Sequence, residues 1–180
     1  MLKPQDALVA CKVSCLGDEP WSYRLLAGSL SLSLAETHDS VARCLGAGLL
    51  LRDRHSKVTA ARRRVFELCA VSLPIFCYAV RGRSERGMPT SVHASCLAGL
   101  FPPAVSSPLV VWPCEVGEVP VRGESLEPFY PTVPQAARRD PCLHKLLALV
   151  DVVRVGSPAE RRSAAEMLKD VIVGDGRKRP

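Results

Sequence analysis

The sequence contains no signal that would assign the chain to secreted or membrane proteins. Its first residues, "MLKPQDALVACKV", carry charges at Lys3 and Asp6, and no small-residue cleavage site follows an apolar core. The longest uncharged apolar run, "LCAVSLPIFCYAV" (residues 68–80), is too short to span a bilayer and contains Pro74. We therefore expect a cytoplasmic protein with no membrane segment.

Motifs of the common catalytic sites are also missing. No Gly-rich turn ends in Gly-Lys-Ser/Thr, which a phosphate-binding loop needs. Gly-x-Ser-x-Gly, the turn that presents a nucleophilic serine, and the zinc-binding His-Glu-x-x-His are absent too. We therefore expect that the protein is not an enzyme and has no cofactor.

The eight cysteines do not follow the spacing of a redox or zinc motif, because none of them forms Cys-x-x-Cys. Without an export signal, the expected surroundings are a reducing cytosol, in which thiols stay free. Five of the cysteines lie among apolar neighbours, where a free thiol packs as a small core residue. They are Cys11, Cys15, Cys44, Cys69 and Cys77.

One group of histidines and cysteines has a spacing that could suit zinc. His93 and Cys96 are separated by two residues, as two ligands of one tetrahedral ion often are. Cys142 and His144 would instead point apart on a helix, and Cys114 is isolated. His93 and Cys96 are also not expected to form a catalytic dyad, because no neighbouring residue in the sequence lowers the pKa of the thiol. We therefore expect no metal site.

Charge is distributed unevenly along the chain. The 180 residues, 47% of them hydrophobic, suffice for the core of one ordinary domain or of a small domain with an extension. The net charge of +6 divides into −2 for residues 1–42, +7 for 43–86, −3 for 87–134 and +4 for 135–180. This pattern suits an anionic partner such as nucleic acid, although basic residues also serve solubility.

The first fifty residues predict three helices and a short strand. A first helix of about three turns begins at Pro4 and carries one apolar stripe. Ser22 is placed to cap a second helix, and Ser33 forms a capping box with Glu36 at the start of a third. Ser31 and Leu32 make the turn between the second and third helices, and a short strand is expected at 49–52.

Within this region, "LAGSLSLSLAETHDSVARCLGAGLL" (residues 26–50) resembles the second helix, turn and recognition helix of MarR-like winged helix-turn-helix regulators of bacterial transcription. Its "GAGLL" ending matches the end of the family's segment. The resemblance implies that the helix 33–47 lies in the major groove of double-stranded DNA, read by a homodimer at a palindromic site. The implied base-facing residues are Ala35, Glu36, His38, Asp39 and Arg43. The implied phosphate-contacting residues are Arg24, Arg52, Arg54, Lys57, Arg62, Arg63 and Arg64.

The segment also departs from the family. Ser31 stands where the turn usually has Gly, and Thr37 where the recognition helix often has an apolar residue. Asp39, in a place where Arg is common, lies beside Glu36, and two carboxylates would repel phosphates. Residues 52–68 show no second alternating strand for a wing hairpin, and a new helix is expected to start near Thr59.

Two interpretations therefore stay open for the N-terminal region. The first is a sequence-specific DNA-binding transcription regulator. The second is a protein-interaction module that keeps the winged-helix scaffold without reading DNA. Residues 62–64 are three consecutive arginines, which are either phosphate contacts or a solvated helix end. A protein or small-molecule effector is left open, because the sequence does not identify one.

The middle of the chain predicts short strands and an irregular connector. "PIFCYAV" (74–80) and "PTSVHAS" (89–95) have strand character, and "RGRSERG" (81–87) is expected to be a basic, flexible turn between them. Eight prolines between residues 101 and 134 exclude regular helix there. "LVVW" (109–112) is the best strand candidate of this stretch.

The C-terminal region predicts an antiparallel pair of helices. Asp140 and Pro141 start one helix, and Ser157 with Glu160 starts the next. Overall we expect a mostly α fold with a minor β component: a winged-helix-like three-helix domain (1–72), short strands and a Pro-rich connector (73–134), and a C-terminal helical region with a basic tail (135–180).

Overall fold

A computed structural model describes residues 1–102, 108–114 and 121–174. The fold is mostly helical with a small sheet component, as predicted. Its helices are α1 (Pro4–Leu16), α2 (Tyr23–Leu30), α3 (Leu34–Gly46), α4 (Arg62–Glu67), α5 (Leu73–Phe76), α6 (Val133–Arg139), α7 (Pro141–Val155) and α8 (Pro158–Val173). Its strands are β1 (Leu50–Arg52), β2 (Val58–Ala60), β3 (Arg81–Pro89), β4 (Val110–Pro113) and β5 (Val121–Leu126).

Helix α1 is the central helix of the molecule. The sequence predicts one apolar stripe, but every residue from Asp6 to Cys15 is buried, because α2, α3, α4 and α7 surround the helix. The buried Lys12 is neutralised by Asp140 at 2.7 Å, and Asp140 also caps α7 through the backbone N–H groups of Cys142 and Leu143. A single ion pair thus joins the central helix to the start of α7.

The first and last thirds of the chain share one hydrophobic core. Helix α7 is buried on all sides from Leu146 to Arg154, and α8 packs against both α7 and α4. The capping roles of Asp140 and of Ser157 with Glu160 are confirmed. One continuous cluster of buried apolar side chains therefore extends from Ala7 in α1 to Ile172 in α8.

Residues 62–76 form one helical segment rather than a helix followed by a strand. A π-helical turn (Leu68–Ser72) joins α4 to α5, so the strand predicted at 74–80 is wrong. Leu68, Cys69 and Leu73 recur at helical spacing and enter the core. The wider π turn ends two residues before Pro74, whose missing N–H would otherwise interrupt a regular ladder.

The small sheet is a closed arrangement of β3, β4 and β5. Strand β3 pairs antiparallel with both other strands, and β4 and β5 run parallel to each other. The segment 81–87, predicted to be a flexible turn, is therefore strand. Instead of the strand expected at 89–95, two short 3-10 turns (Ser91–His93 and Ser95–Leu97) follow β3, whereas the strand expected at 109–112 is confirmed.

A buried polar cluster fastens this sheet to α7. The fully buried carboxylate of Asp151 accepts hydrogen bonds from Thr90 (2.8 Å), from the Trp112 indole (2.6 Å) and from Arg154 (2.7 Å). Burial raises the pKa of Asp151, and these three donors oppose the shift. Arg154 also donates to the carbonyl oxygens of Cys77 and Glu127, so the cluster holds the chain on both sides of the sheet.

Helix α6 begins at Val133, inside the stretch for which the prolines exclude helix. Pro134 lies in its first turn, where a proline lacks no needed hydrogen bond. Among the described residues, no helix combines the length and the apolar character needed to cross a membrane.

Candidate nucleic-acid interface

Helices α2 and α3 form the helix-turn-helix unit that the sequence predicts. Ser22 caps α2 by accepting a hydrogen bond from the backbone N–H of Leu25 at 3.2 Å. The capping box of α3 is complete: the Ser33 hydroxyl accepts from the Glu36 N–H at 3.1 Å, and the Glu36 carboxylate accepts from the Ser33 N–H at 2.9 Å. Leu32 is buried in the turn and fixes its position against the core.

Ser31 adopts the left-handed backbone conformation that a turn glycine adopts easily. Its backbone is left-handed, with φ 54° and ψ 41°, and it ends α2. A residue with a Cβ carries a steric cost in this conformation. Thr37, the second departure from the family, is fully buried, and its hydroxyl donates to the Ser33 carbonyl at 2.8 Å. Both departures are therefore compatible with the unit.

The base-facing candidates on α3 differ in how free their side chains are. Ala35, His38 and Asp39 are exposed, and the His38 ring stacks on Tyr23 with centroids 3.7 Å apart. Glu36 is held by its capping box, and hydrogen bonds from the Ser33 hydroxyl and N–H lower its pKa. The outer face of α3 therefore carries a negative charge at Asp39 and a partly fixed one at Glu36.

Arg43, also a base-facing candidate, is tied to the core. Its guanidinium donates to both carboxylate oxygens of the fully buried Asp6 at 2.8 Å, and to the Ser40 hydroxyl at 3.1 Å. Asp6 raises the pKa of Arg43, so the side chain stays charged. This clamp joins α1 to α3, and Arg43 reaches a base only if the clamp opens.

A two-stranded antiparallel hairpin follows α3, which corrects the expectation of no second strand after residue 52. Strand β1 pairs with β2 in the register Leu50↔Ala60, Leu51↔Thr59 and Arg52↔Val58. The indole N–H of Trp21 donates to the carbonyl of Val58 at 3.2 Å and fastens the hairpin beside α2. The helix expected near Thr59 begins at Arg62 instead.

The hairpin tip, residues 53–57, is a tight and basic turn. Asp53 organises it by accepting hydrogen bonds from the backbone N–H groups of His55 (2.8 Å) and Lys57 (2.9 Å). Arg52 and Arg54 are exposed and make no side-chain hydrogen bond or ion pair with any described residue, whereas Lys57 lies 3.5 Å from the exposed Asp18. Two free guanidinium groups therefore project where the hairpin turns.

The three arginines of α4 have different surroundings. Arg62 donates to the carbonyl oxygens of Ile172 and Gly174 at the end of α8, and Arg64 donates to Ala47 at the end of α3. Arg63 is largely exposed and pairs with Glu67 at 3.3 Å. Two of the three therefore cap helix C-termini, a role that neither interpretation of the sequence anticipated.

Helix α6 adds arginines that sequence reasoning missed. Arg139 donates to the Gly28 carbonyl at 2.6 Å and to the Ser31 hydroxyl at 3.1 Å, so it lies over the turn between α2 and α3. Its neighbour Arg138 is exposed, and so is Arg24 on α2 itself. Two basic residues at the end of a helix are a common sequence pattern. Nothing in the sequence around them indicates that they lie beside the α2–α3 turn, more than a hundred residues earlier.

The described histidines and cysteines do not assemble into a metal site. The residues described contain no group of three or more metal-binding side chains. His93 accepts a hydrogen bond from the Val110 N–H at 3.3 Å, and His144 lies against the Trp112 ring. Burial raises the pKa of the Cys96 thiol, opposite to what a nucleophile needs.

Comparisons of the chain with models of protein families, with curated proteins and with solved structures found no match. The resemblance to MarR-like regulators consequently rests on the sequence of residues 26–50.

Proposed function

We propose that the chain is a sequence-specific DNA-binding transcription regulator, in which α3 enters the major groove and the β1–β2 hairpin acts as a wing on the phosphate backbone. The observation that carries the proposal is the hairpin: it follows the helix-turn-helix directly and projects Arg52 and Arg54 with no partner among the described residues. Unpaired guanidinium groups are suited to phosphate oxygens.

Further phosphate contacts come from the flanks of α3. Arg24 on α2 and Arg138 on α6 are exposed, and Arg139 already lies over the turn that precedes α3. Lys57 reinforces the hairpin tip once its weak pair with Asp18 opens. Arg62 and Arg64 keep their capping roles and are left out of the proposed contacts.

Base reading falls to the N-terminal half of α3. Ala35, His38 and Asp39 are exposed there. A carboxylate in the major groove accepts a hydrogen bond from the N4 amino group of cytosine, so Asp39 has a defined role in a DNA complex. Its repulsion of phosphates would then favour one sequence at some cost to non-specific affinity. The proposed recognition unit is a homodimer on a palindromic site, in the cytoplasm of a bacterium.

Fluorescence-anisotropy titration of the full chain against genomic fragments, its own upstream region included, tests base reading. The proposal requires that one fragment binds more tightly than the others. Asp39→Asn should then move the preference at one position from cytosine to adenine, by about 5- to 150-fold. Equal binding of all fragments by the wild type, or an unchanged preference in the variant, would contradict base reading.

A protein-interaction module on the same scaffold is the second candidate. The observation that favours it is the charge on α3 itself: Asp39 is exposed, and the only cation of the helix, Arg43, is bound to Asp6. An acidic helix face of this kind suits a basic protein surface. In that case DNA fragments would bind weakly and equally, and a captured protein partner would lose affinity with Asp39→Asn.

A further inference from the structure

Four cysteines form two pairs of neighbouring thiols around α1. Cys11 and Cys15 are one turn apart on this helix, so their side chains share a face. The sulfur of Cys11 lies 3.5 Å from the sulfur of Cys69, in the π-helical turn. The Cys15 thiol is hydrogen-bonded to the thiol of Cys142, at the start of α7. We call Cys11 with Cys69 the inner thiol pair and Cys15 with Cys142 the outer thiol pair.

The two pairs differ in their access to solvent. Both sulfurs of the inner thiol pair belong to completely buried residues, Cys11 and Cys69. In the outer thiol pair, Cys15 is buried but Cys142 is partly exposed. A dissolved reagent therefore reaches the outer thiol pair through Cys142, whereas the native fold shields the inner thiol pair.

The outer thiol pair is held together by the ion pair between α1 and α7. One carboxylate oxygen of Asp140 lies 2.7 Å from the ammonium nitrogen of Lys12, and the other accepts a hydrogen bond from the Cys142 N–H at 2.9 Å. Lys12 precedes Cys15 by three residues and lies on the same side of α1. One carboxylate thus fixes both backbones. Two groups fixed side by side react as if each were highly concentrated around the other.

We infer that the outer thiol pair is a thiol–disulfide exchange site, whose substrate is a small soluble disulfide of the glutathione class. In the first step the Cys142 sulfur, as thiolate, attacks one sulfur of the small disulfide. The S–S bond of the small disulfide breaks, and one small thiol leaves with the proton that Cys142 has lost. The product is a mixed disulfide between Cys142 and the second half of the reagent.

In the second step the Cys15 sulfur attacks the Cys142 sulfur. The bond between Cys142 and the small thiol breaks, and this thiol leaves with the proton of Cys15. The two cysteines together lose two electrons and form one disulfide, and the small disulfide gains them and becomes two thiols.

The order of the two steps follows from the surroundings of Cys15. Its hydrogen bond with Cys142 and its burial raise the pKa of Cys15. Because the thiolate is the attacking form, Cys142 reacts first and Cys15 resolves the mixed disulfide more slowly. The internal disulfide joins α1 to α7 at the junction that the Lys12–Asp140 pair already holds. It closes a long loop of the chain and should therefore stabilise the fold.

Peptide mapping of the native full chain tests the inference, after equilibration with mixtures of oxidised and reduced glutathione and alkylation of the remaining thiols. As the share of oxidised glutathione rises, the peptide that contains Cys15 should become joined to the peptide that contains Cys142. This link should exceed a link between Cys11 and Cys69 by about tenfold or more. The linked chain should melt roughly 5–15 °C above the reduced chain.

Cysteine variants separate the two steps. Cys15→Ala should stop the reaction at the mixed disulfide, so that glutathione accumulates on Cys142, whereas Cys142→Ala should take up no glutathione at Cys15. Cys96→Ala, at a partly exposed cysteine outside both pairs, is the matched control and should form the link as the wild type does. Circular dichroism checks that each variant is folded, and the wild-type map decides without variants if Cys15→Ala does not fold.

A wild type whose outer thiol pair stays reduced, or that carries glutathione on Cys142 without forming the link, would overturn the inference. An inner thiol pair that is linked as readily as the outer one, or a link that lowers the melting temperature, would overturn it as well. The inference does not rest on the proposed function, because DNA binding is measured separately by anisotropy.

Discussion

Replacing Arg43 by Ala should destabilise the fold strongly, because the Asp6 carboxylate would lose its charged partner inside the core. Asp6 is completely buried, and its carboxylate accepts two hydrogen bonds of 2.8 Å from Arg43. After the change it retains the backbone N–H of Lys3 at 2.8 Å as a donor. The charge would then lie between α1 and α3 with one neutral partner.

The expected loss is about 3 kcal/mol, the lower end of the range for removing one member of a buried ion pair. The lower end applies because the Lys3 N–H remains and because the Arg43 side chain is itself 22% exposed. In a chain of 180 residues a loss of this size lowers the melting temperature by about 6–12 °C. Asp6→Ala with Arg43→Ala should recover part of the loss, because no buried charge is left.

Urea unfolding followed by circular dichroism measures the effect. Arg24→Ala is the matched control, since Arg24 is exposed and makes no side-chain hydrogen bond or ion pair with the described residues, and it should change the free energy of unfolding by less than about 0.5 kcal/mol. An effect of Arg43→Ala as small as that of the control would refute the clamp. Arg43 would then be free to read a base, as the family resemblance implies.

Two further changes test local features of the structure. Because Ser31 is left-handed, Ser31→Gly should be more stable than Ser31→Val by about 1–2 kcal/mol in urea unfolding, and equal stabilities would contradict the turn geometry. Burial raises the pKa of Asp140, but the hydrogen bonds from Lys12 and the Leu143 N–H outweigh it, and the net pKa is lowered. The stabilisation is therefore present above the unfolded pKa of about 3.9 and is lost as the pH falls through the folded pKa. Asp140→Asn should accordingly cost about 1–2 kcal/mol at pH 7 and progressively less as the pH falls below about 3.9, and a cost that does not change with pH would argue against the pair with Lys12.

Features that depend on a few consecutive residues could be predicted from the sequence. The caps at Ser22, Ser33 and Asp140 were predicted correctly, because each involves hydrogen bonds to backbone groups two or three residues away. The turn at Ser31 and Leu32 follows from the same local chemistry. This part of the candidate site is therefore readable without a structure.

Strands that depend on distant partners could not be predicted. Strand β2 has three residues, too few for an alternating pattern, and it is recognised only by its pairing with β1. Strand β3 is rich in Arg and Gly and is held by backbone hydrogen bonds to β5, about forty residues later. Gly87 lies against β4, where a Cβ would collide with the Trp112 carbonyl. The close approach of the two strands therefore requires glycine here, although the sequence predicts a turn at this residue.

The partners of individual charged side chains were also beyond local reasoning. Arg43 is paired with Asp6, 37 residues earlier, and Arg62 with the end of α8, 110 residues later. On the sequence both look like members of a basic cluster. Their removal from the list of free cations leaves Arg52 and Arg54 as the centre of the proposed phosphate contacts.

The most direct test of the proposed function is the salt dependence of DNA binding by the wild type and by Arg52→Ala with Arg54→Ala. Each lost phosphate contact reduces the slope of log K against log salt concentration by about 0.9, so the double variant should bind more weakly with a slope smaller by about 1.8. Arg63→Ala, whose side chain is exposed but paired with Glu67, is the control and should keep a slope close to that of the wild type. Equal slopes for the wild type and the double variant would contradict the hairpin as a wing on DNA.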